Sequence, residues 1–288
     1  MRSVTTPDGR TLRLYQAGAD EGPVVLVHHG TPLSGLLFDP HVRDAEERGI
    51  RLIGYDRPGY GGSTPAPGRS VAAVADDVRA IADAVEVERL AVWGISGGGP
   101  HALACAALAS DRVAAVASLA SVAPIDAEGL DWFAGMGQTN LDEFDAARRG
   151  REALKAHLGA QERDLSSATP EGVVAALEQL LTPVDAQALS GEVGEYFAAC
   201  MQEAVRSGID GWLDDDLAFA RPWGFAVEEL RAPVILWHGK HDLFVPFAHG
   251  EWLAGKIPNV EAHLSDTDGH LTLFQRVPEV HAWLLERL

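Results

Sequence analysis

The sequence predicts an α/β protein: an eight-stranded, mostly parallel sheet flanked by helices, with a helical segment inserted after strand 6. Three observations carry that prediction. Short apolar runs alternate with longer helical patterns over most of the chain, the rhythm of strands joined by crossovers. The first two strand candidates flank a turn sequence and read as an antiparallel hairpin. The rhythm then lapses between about Pro124 and Pro222, where strand runs are absent.

Taken in order, residues 3–6 and 11–16 form the hairpin around Pro7-Asp8-Gly9-Arg10. Further strands are expected at 24–27, 51–55, 90–93, 114–119, 234–237 and 260–264. Helical patterns occupy 71–85, 100–109, 247–256 and 278–287. Within the interruption, helices are expected at 141–157, 170–181 and 192–205, punctuated by glycine, proline and acids. Residues 125–220 therefore read as a helical cap over the C-terminal edge of the sheet, with 1–124 and 221–288 forming the core. No repeat or low-complexity linker is apparent, so the cap is expected to be an excursion from one core.

At 288 residues the chain is long enough to bury a substantial core. The formal net charge is −19, from 42 Asp+Glu against 23 Lys+Arg. Such a field repels polyanions, so nucleic acid and acidic membrane surfaces are poor partners. Cys105 and Cys200 lack zinc-type spacing, and Cys105 reads as a small buried thiol. No run is long and apolar enough to span a bilayer, and the first nine residues hold no apolar signal core, which predicts a cytoplasmic protein.

The chemistry centres on Gly94-Ile95-Ser96-Gly97-Gly98, set between an apolar strand and a helix beginning near Pro100. Glycines two before and two after the serine permit a strand-to-helix turn too sharp for side chains there. A serine hydroxyl needs a positioned base. His270, in Asp268-Gly269-His270 after the last strand, reaches the same sheet edge. Asp242, in the turn after strand 234–237, would fix the tautomer of that imidazole. An oxyanion also needs N–H donors. Gly97 supplies one and Thr31, in His28-His29-Gly30-Thr31-Pro32, supplies the other.

These pieces, with Asp56-Arg57-Pro58-Gly59-Tyr60-Gly61-Gly62-Ser63 and Gly239-Lys240-His241-Asp242, resemble the α/β-hydrolase superfamily. Within it the chain is similar to capped serine hydrolases such as carboxylesterases and proline-iminopeptidase-like enzymes. The resemblance implies a Ser-His-Asp mechanism that uses no metal or cofactor. Ser96 stands where dehalogenases and epoxide hydrolases of this architecture carry aspartate. His29-Gly30-Thr31-Pro32-Leu33 departs from the His-Gly-Gly-Pro-Gly loop of proline iminopeptidases. The expectation is hydrolysis of a small uncharged ester or lactone. Carbon–carbon bond hydrolysis, aminopeptidase action and a non-catalytic receptor stand as alternatives.

Other residues carry competing readings. Asp126 rivals Asp242 as the triad acid, and His28 and His29 read as loop support. Asp56 and Arg57 read as an ion pair and loop anchor, and Asp214-Asp215-Asp216 as a surface turn or helix start. Trp132, Phe133, Met136, Trp212 and Trp223 either pack the cap or line a pocket for an apolar acyl or aromatic small-molecule substrate.

Overall fold

The computed structural model of the chain describes residues 2–288. Its strands are β1 (Arg2–Thr5), β2 (Thr11–Gly18), β3 (Val24–His28), β4 (Arg51–Tyr55), β5 (Leu90–Ile95), β6 (Val113–Leu119), β7 (Val234–Gly239) and β8 (Glu261–Ser265). They form one eight-stranded sheet in the order β1-β2-β4-β3-β5-β6-β7-β8. Strand β2 runs antiparallel to both β1 and β4, and the other pairings are parallel. The expected hairpin is closed by Thr6 N donating to Arg10 O and Gly9 N to Thr6 O, both at 2.9 Å.

Helices α1 (Asp39–Glu47), α2 (Val74–Ala84) and α3 (Gly98–Leu108) accompany the first strands. Between β6 and β7 the regular elements are helices alone: α4 (Gln138–Arg149), α5 (Arg151–Gly159), α6 (Glu162–Ser166), α7 (Pro170–Leu177), α8 (Pro183–Ala188), α9 (Glu192–Ala204), α10 (Asp210–Phe219) and one short 3-10 turn. Helices α11 (Phe247–Lys256) and α12 (Val277–Leu285) follow β7 and β8.

Alternate residues along β3 divide between two cores, as the two-residue period of a strand requires. Val24 and Leu26 pack with α2, α3 and α11, whereas Val25 and Val27 pack with α12 on the other face. Coverage on both faces explains why β3, β5 and β6 are buried along their whole length. The edge strand β8 is largely exposed and correspondingly polar.

Two local expectations are corrected. The pattern at 141–157 is broken into α4 and α5 at Gly150, whose φ of +104° takes the chain out of helical geometry. Asp214-Asp215-Asp216 is no surface turn: α10 is buried from Gly211 to Phe219. Packing on all sides erased the apolar stripe that would have revealed this helix. No helix among the described residues is long and apolar enough to cross a membrane.

Candidate active site

Strand β5 ends at Ile95 and α3 begins at Gly98, so Ser96 occupies the turn between them. Its φ is +55°, a left-handed conformation that costs an L-residue energy and is retained where surrounding structure forces it. The forcing contacts are close. A Cβ on Gly94 would lie 2.2 Å from Gly98 O, and one on Gly98 would lie 2.0 Å from His28 O. Only glycine fits at either place. Ser96 N donates to Leu119 O at 2.9 Å, tying the turn to β6.

Asp242 and His270 arrive from the loops after β7 and β8. Asp242 Oδ1 accepts the N–H groups of Phe244 at 2.9 Å and Val245 at 2.8 Å, which fixes the carboxylate in its turn. Its Oδ2 accepts from His270 Nδ1 at 2.7 Å. That bond places the imidazole proton on Nδ1 and leaves Nε2 as the basic nitrogen. The Phe244 ring stacks on the imidazole with centroids 4.5 Å apart. Behind the pair, His238 Nε2 donates to Val245 O at 2.9 Å and lies 3.6 Å from Asp242 Oδ2. Burial disfavours the His270 cation, but the Asp242 charge and hydrogen bond, with the Asp185 charge, carry its pKa above the ordinary 6.5.

Ser96, Gly97, Thr31 and His270 line a single cavity of about 170 Å³. Among the described residues Ser96 Oγ and His270 share no hydrogen bond, so the chain's contact is complete from Asp242 to His270 and open from His270 to Ser96. The backbone N–H groups of Thr31 and Gly97 likewise make no hydrogen bond among the described residues.

A buried polar cluster holds the Thr31 loop. Thr31 Oγ1 donates to Asp215 Oδ2 at 2.9 Å and accepts from Arg57 Nη2 at 3.1 Å. Asp215, on α10, takes Arg57 Nη2 and Arg69 Nη1 at 2.6 Å each and the Tyr60 hydroxyl at 2.8 Å. Burial alone would raise the Asp215 pKa, but the two guanidinium groups hold it well below the carboxylate range. Arg57 is therefore not the partner of Asp56. The Asp56 carboxylate instead accepts Gly35 N at 2.8 Å, Gly62 N at 3.0 Å and the Tyr15 hydroxyl at 3.1 Å.

Glu143 and Asp216 also face the cavity. Burial raises the pKa of each, and for Asp216 the charge of Glu143 adds to the effect. Trp212 Nε1 donates to Glu143 Oε1 at 3.0 Å. Of the five aromatic or methionine candidates, Trp212 lines the cavity, while Trp132, Met136 and Trp223 are buried in the core and Phe133 packs against it.

His28 and His29 are buried, and desolvation pushes both imidazoles well below 6.5. His29 Nδ1 donates to Gly30 O at 2.8 Å and its Nε2 accepts Arg57 N at 3.3 Å, which is loop support. Asp126 is exposed, whereas His270 is bonded to Asp242. Cys105 and Cys200 are both free, buried thiols.

Sheet order, elbow and cavity define a known class. A family model described as the alpha/beta hydrolase fold matches residues 23–277, and the chain belongs to that family as a hydrolase. It is 29% identical over 250 residues to a non-heme chloroperoxidase of Streptomyces lividans, covering 86% of this chain and 84% of that one. A bifunctional esterase/perhydrolase of Acinetobacter calcoaceticus is 26% identical over 250 residues, with 86% and 84% covered. The fold is shared with a thermophilic esterase of Thermogutta terrifontis, at a TM-score of 0.72, 22% identity, and coverage of 99% of this chain and 98% of that one.

Proposed function

We propose that the protein is a serine hydrolase that cleaves a small, uncharged carboxylic ester or lactone through an acyl-enzyme. One observation carries the reading: a serine held at φ +55° shares a cavity with an imidazole whose Nδ1 is bonded to a carboxylate at 2.7 Å. Ser96 Oγ attacks the carbonyl carbon as His270 Nε2 takes its proton. The Thr31 and Gly97 N–H groups receive the charge that develops on the carbonyl oxygen. The tetrahedral intermediate collapses, His270 returns the proton to the leaving alkoxide, and a water repeats the sequence to release the acid. The Ser96–His270 hydrogen bond forms when substrate binds, since such contacts are commonly loose in ligand-free enzymes.

In this reading residues 125–220 act as a cap. Leu177, Phe197 and Trp212 from that segment give the cavity apolar walls, which suits an apolar acyl or aromatic group. The esterase/perhydrolase relative agrees with acyl chemistry on this framework. The test is turnover across a chain-length series of nitrophenyl esters, run beside amides, β-diketones and peroxide-dependent halogenation. Ester turnover with fluorophosphonate labelling at Ser96 is the expected result. Labelling at another residue, or cleavage confined to amides or carbon–carbon bonds, overturns the ester assignment.

Two further outcomes follow from the base. Asp242→Asn lowers kcat by about three to four orders of magnitude, because an amide no longer enforces the Nδ1–H tautomer or supports the imidazolium. Asp126→Asn leaves kcat at the wild-type level, and a reversed ranking in the same ester assay moves the acid to Asp126. The pH profile has a defined sign. Only neutral His270 accepts the serine proton, so kcat/KM rises with pH through a midpoint above 6.5 and drops about tenfold per unit below it. A profile flat down to pH about 5 removes His270 as the base.

A further inference from the structure

Asp185 belongs to α8 in the helical segment between β6 and β7, yet its side chain is fully buried against the loop that carries His270. Its carboxylate accepts three successive backbone N–H groups. Oδ2 takes His270 N at 3.1 Å, and Oδ1 takes Leu271 N at 2.7 Å and Thr272 N at 3.3 Å. Thr182 Oγ1 donates to Oδ2 at 3.2 Å. These three amides open the 3-10 turn Leu271–Arg276, so their donors have no partner within the turn itself. The seat is tight: a Cβ on Gly269 would fall 2.3 Å from Asp185 Oδ2.

We propose that Asp185 is a positioning residue for His270, through which the helical insertion both fixes the backbone of the base and stabilises the imidazolium formed in turnover. The proposal rests on the hydrolase reading above, since only a base that passes through its cation gains from a second nearby negative charge. The groups around His270 can be enumerated. Asp242 bonds its Nδ1, His238 stands behind Asp242, and Glu143 and Asp216 line the same cavity. Asp268, two residues earlier, is engaged by Arg276 at 3.0 Å. Asp242 and Asp185 are the charges that favour the protonated ring against burial. A cap that served the turn alone would raise the thermal midpoint and leave the ring's titration where it was.

Asp185→Asn tests the difference, because the amide keeps the size and an acceptor oxygen but removes the charge. NMR titration of the His270 ring, assigned by its absence in His270→Gln, is expected to move to lower pH. The acid limb of kcat/KM moves with it, and kcat/KM at neutral pH falls roughly tenfold. Gly269→Ala is the second variant, displacing the carboxylate without removing it, and is expected to move the ring titration the same way. Both variants titrating like wild type, with only a lower thermal midpoint, reduces Asp185 to a cap and overturns the proposal. If wild type hydrolyses no ester, the hydrolase reading fails in the activity assay, while the ring titration still decides the coupling: a downward shift upholds it and an unmoved one ends it.

Discussion

Ser96→Ala abolishes ester turnover, with an expected loss in kcat of about 10⁶-fold, and leaves the protein folded. On the proposed reading the loss is large because nucleophile and base act as a unit: without Oγ, His270 would have no serine proton to take and no acyl-enzyme would form. In the same reading the residual rate, about 10³-fold over the uncatalysed reaction, would come from the Thr31 and Gly97 amides acting on direct attack by water. The fold survives because Ser96 joins the structure through its backbone N–H to Leu119 O rather than through its hydroxyl. Alanine occupies φ +55° at much the same cost as serine, since the strain lies at Cβ, which both possess. Steady-state kinetics with a thermal melt reads both halves of the prediction. Turnover within tenfold of wild type removes Ser96 from the chemistry.

How far the candidate site was legible in the sequence follows from the range of its contacts. Ser96 was visible because its constraints are local: an apolar strand, two glycines and a helix within a dozen residues. Asp242 and His270 were visible because each follows a strand, and parallel strands deliver their C-terminal loops to one edge. Asp185 and Asp215 were invisible for the opposite reason. Their partners lie 85 and 158 residues away in sequence, and an aspartate in a helical pattern reads as solvated unless that packing is known. Adjacency also misled: Asp56 and Arg57 are neighbours in the chain but point to different partners, Gly35 and Gly62 for one and Asp215 for the other.

Asp215→Ala carries the largest stability effect expected of a single side chain here, a loss of about 3–5 kcal/mol. The size does not come from the strength of the ion pairs. Burying an ion pair is close to neutral against an apolar equivalent, but removing one partner strands the others without water. Asp215 serves two guanidinium groups, and Arg57 and Arg69 are both buried, so the vacancy leaves two cations short of an acceptor along with the Tyr60 and Thr31 hydroxyls. Because its pKa is depressed in the fold, Asp215 contributes its stability at all pH values above the unfolded carboxylate range, losing it only as pH falls towards the folded value. Urea unfolding at neutral pH, with the exposed Asp142→Ala as control, measures the loss. Activity reports the same cluster separately. Thr31 loses the acceptor that orients its loop, so, if its N–H is the proposed oxyanion donor, kcat falls in the fraction that remains folded while KM changes less. A loss below about 1 kcal/mol would mean that Arg57 and Arg69 find other acceptors, and the α10 contact would then not be what holds the Thr31 loop in place.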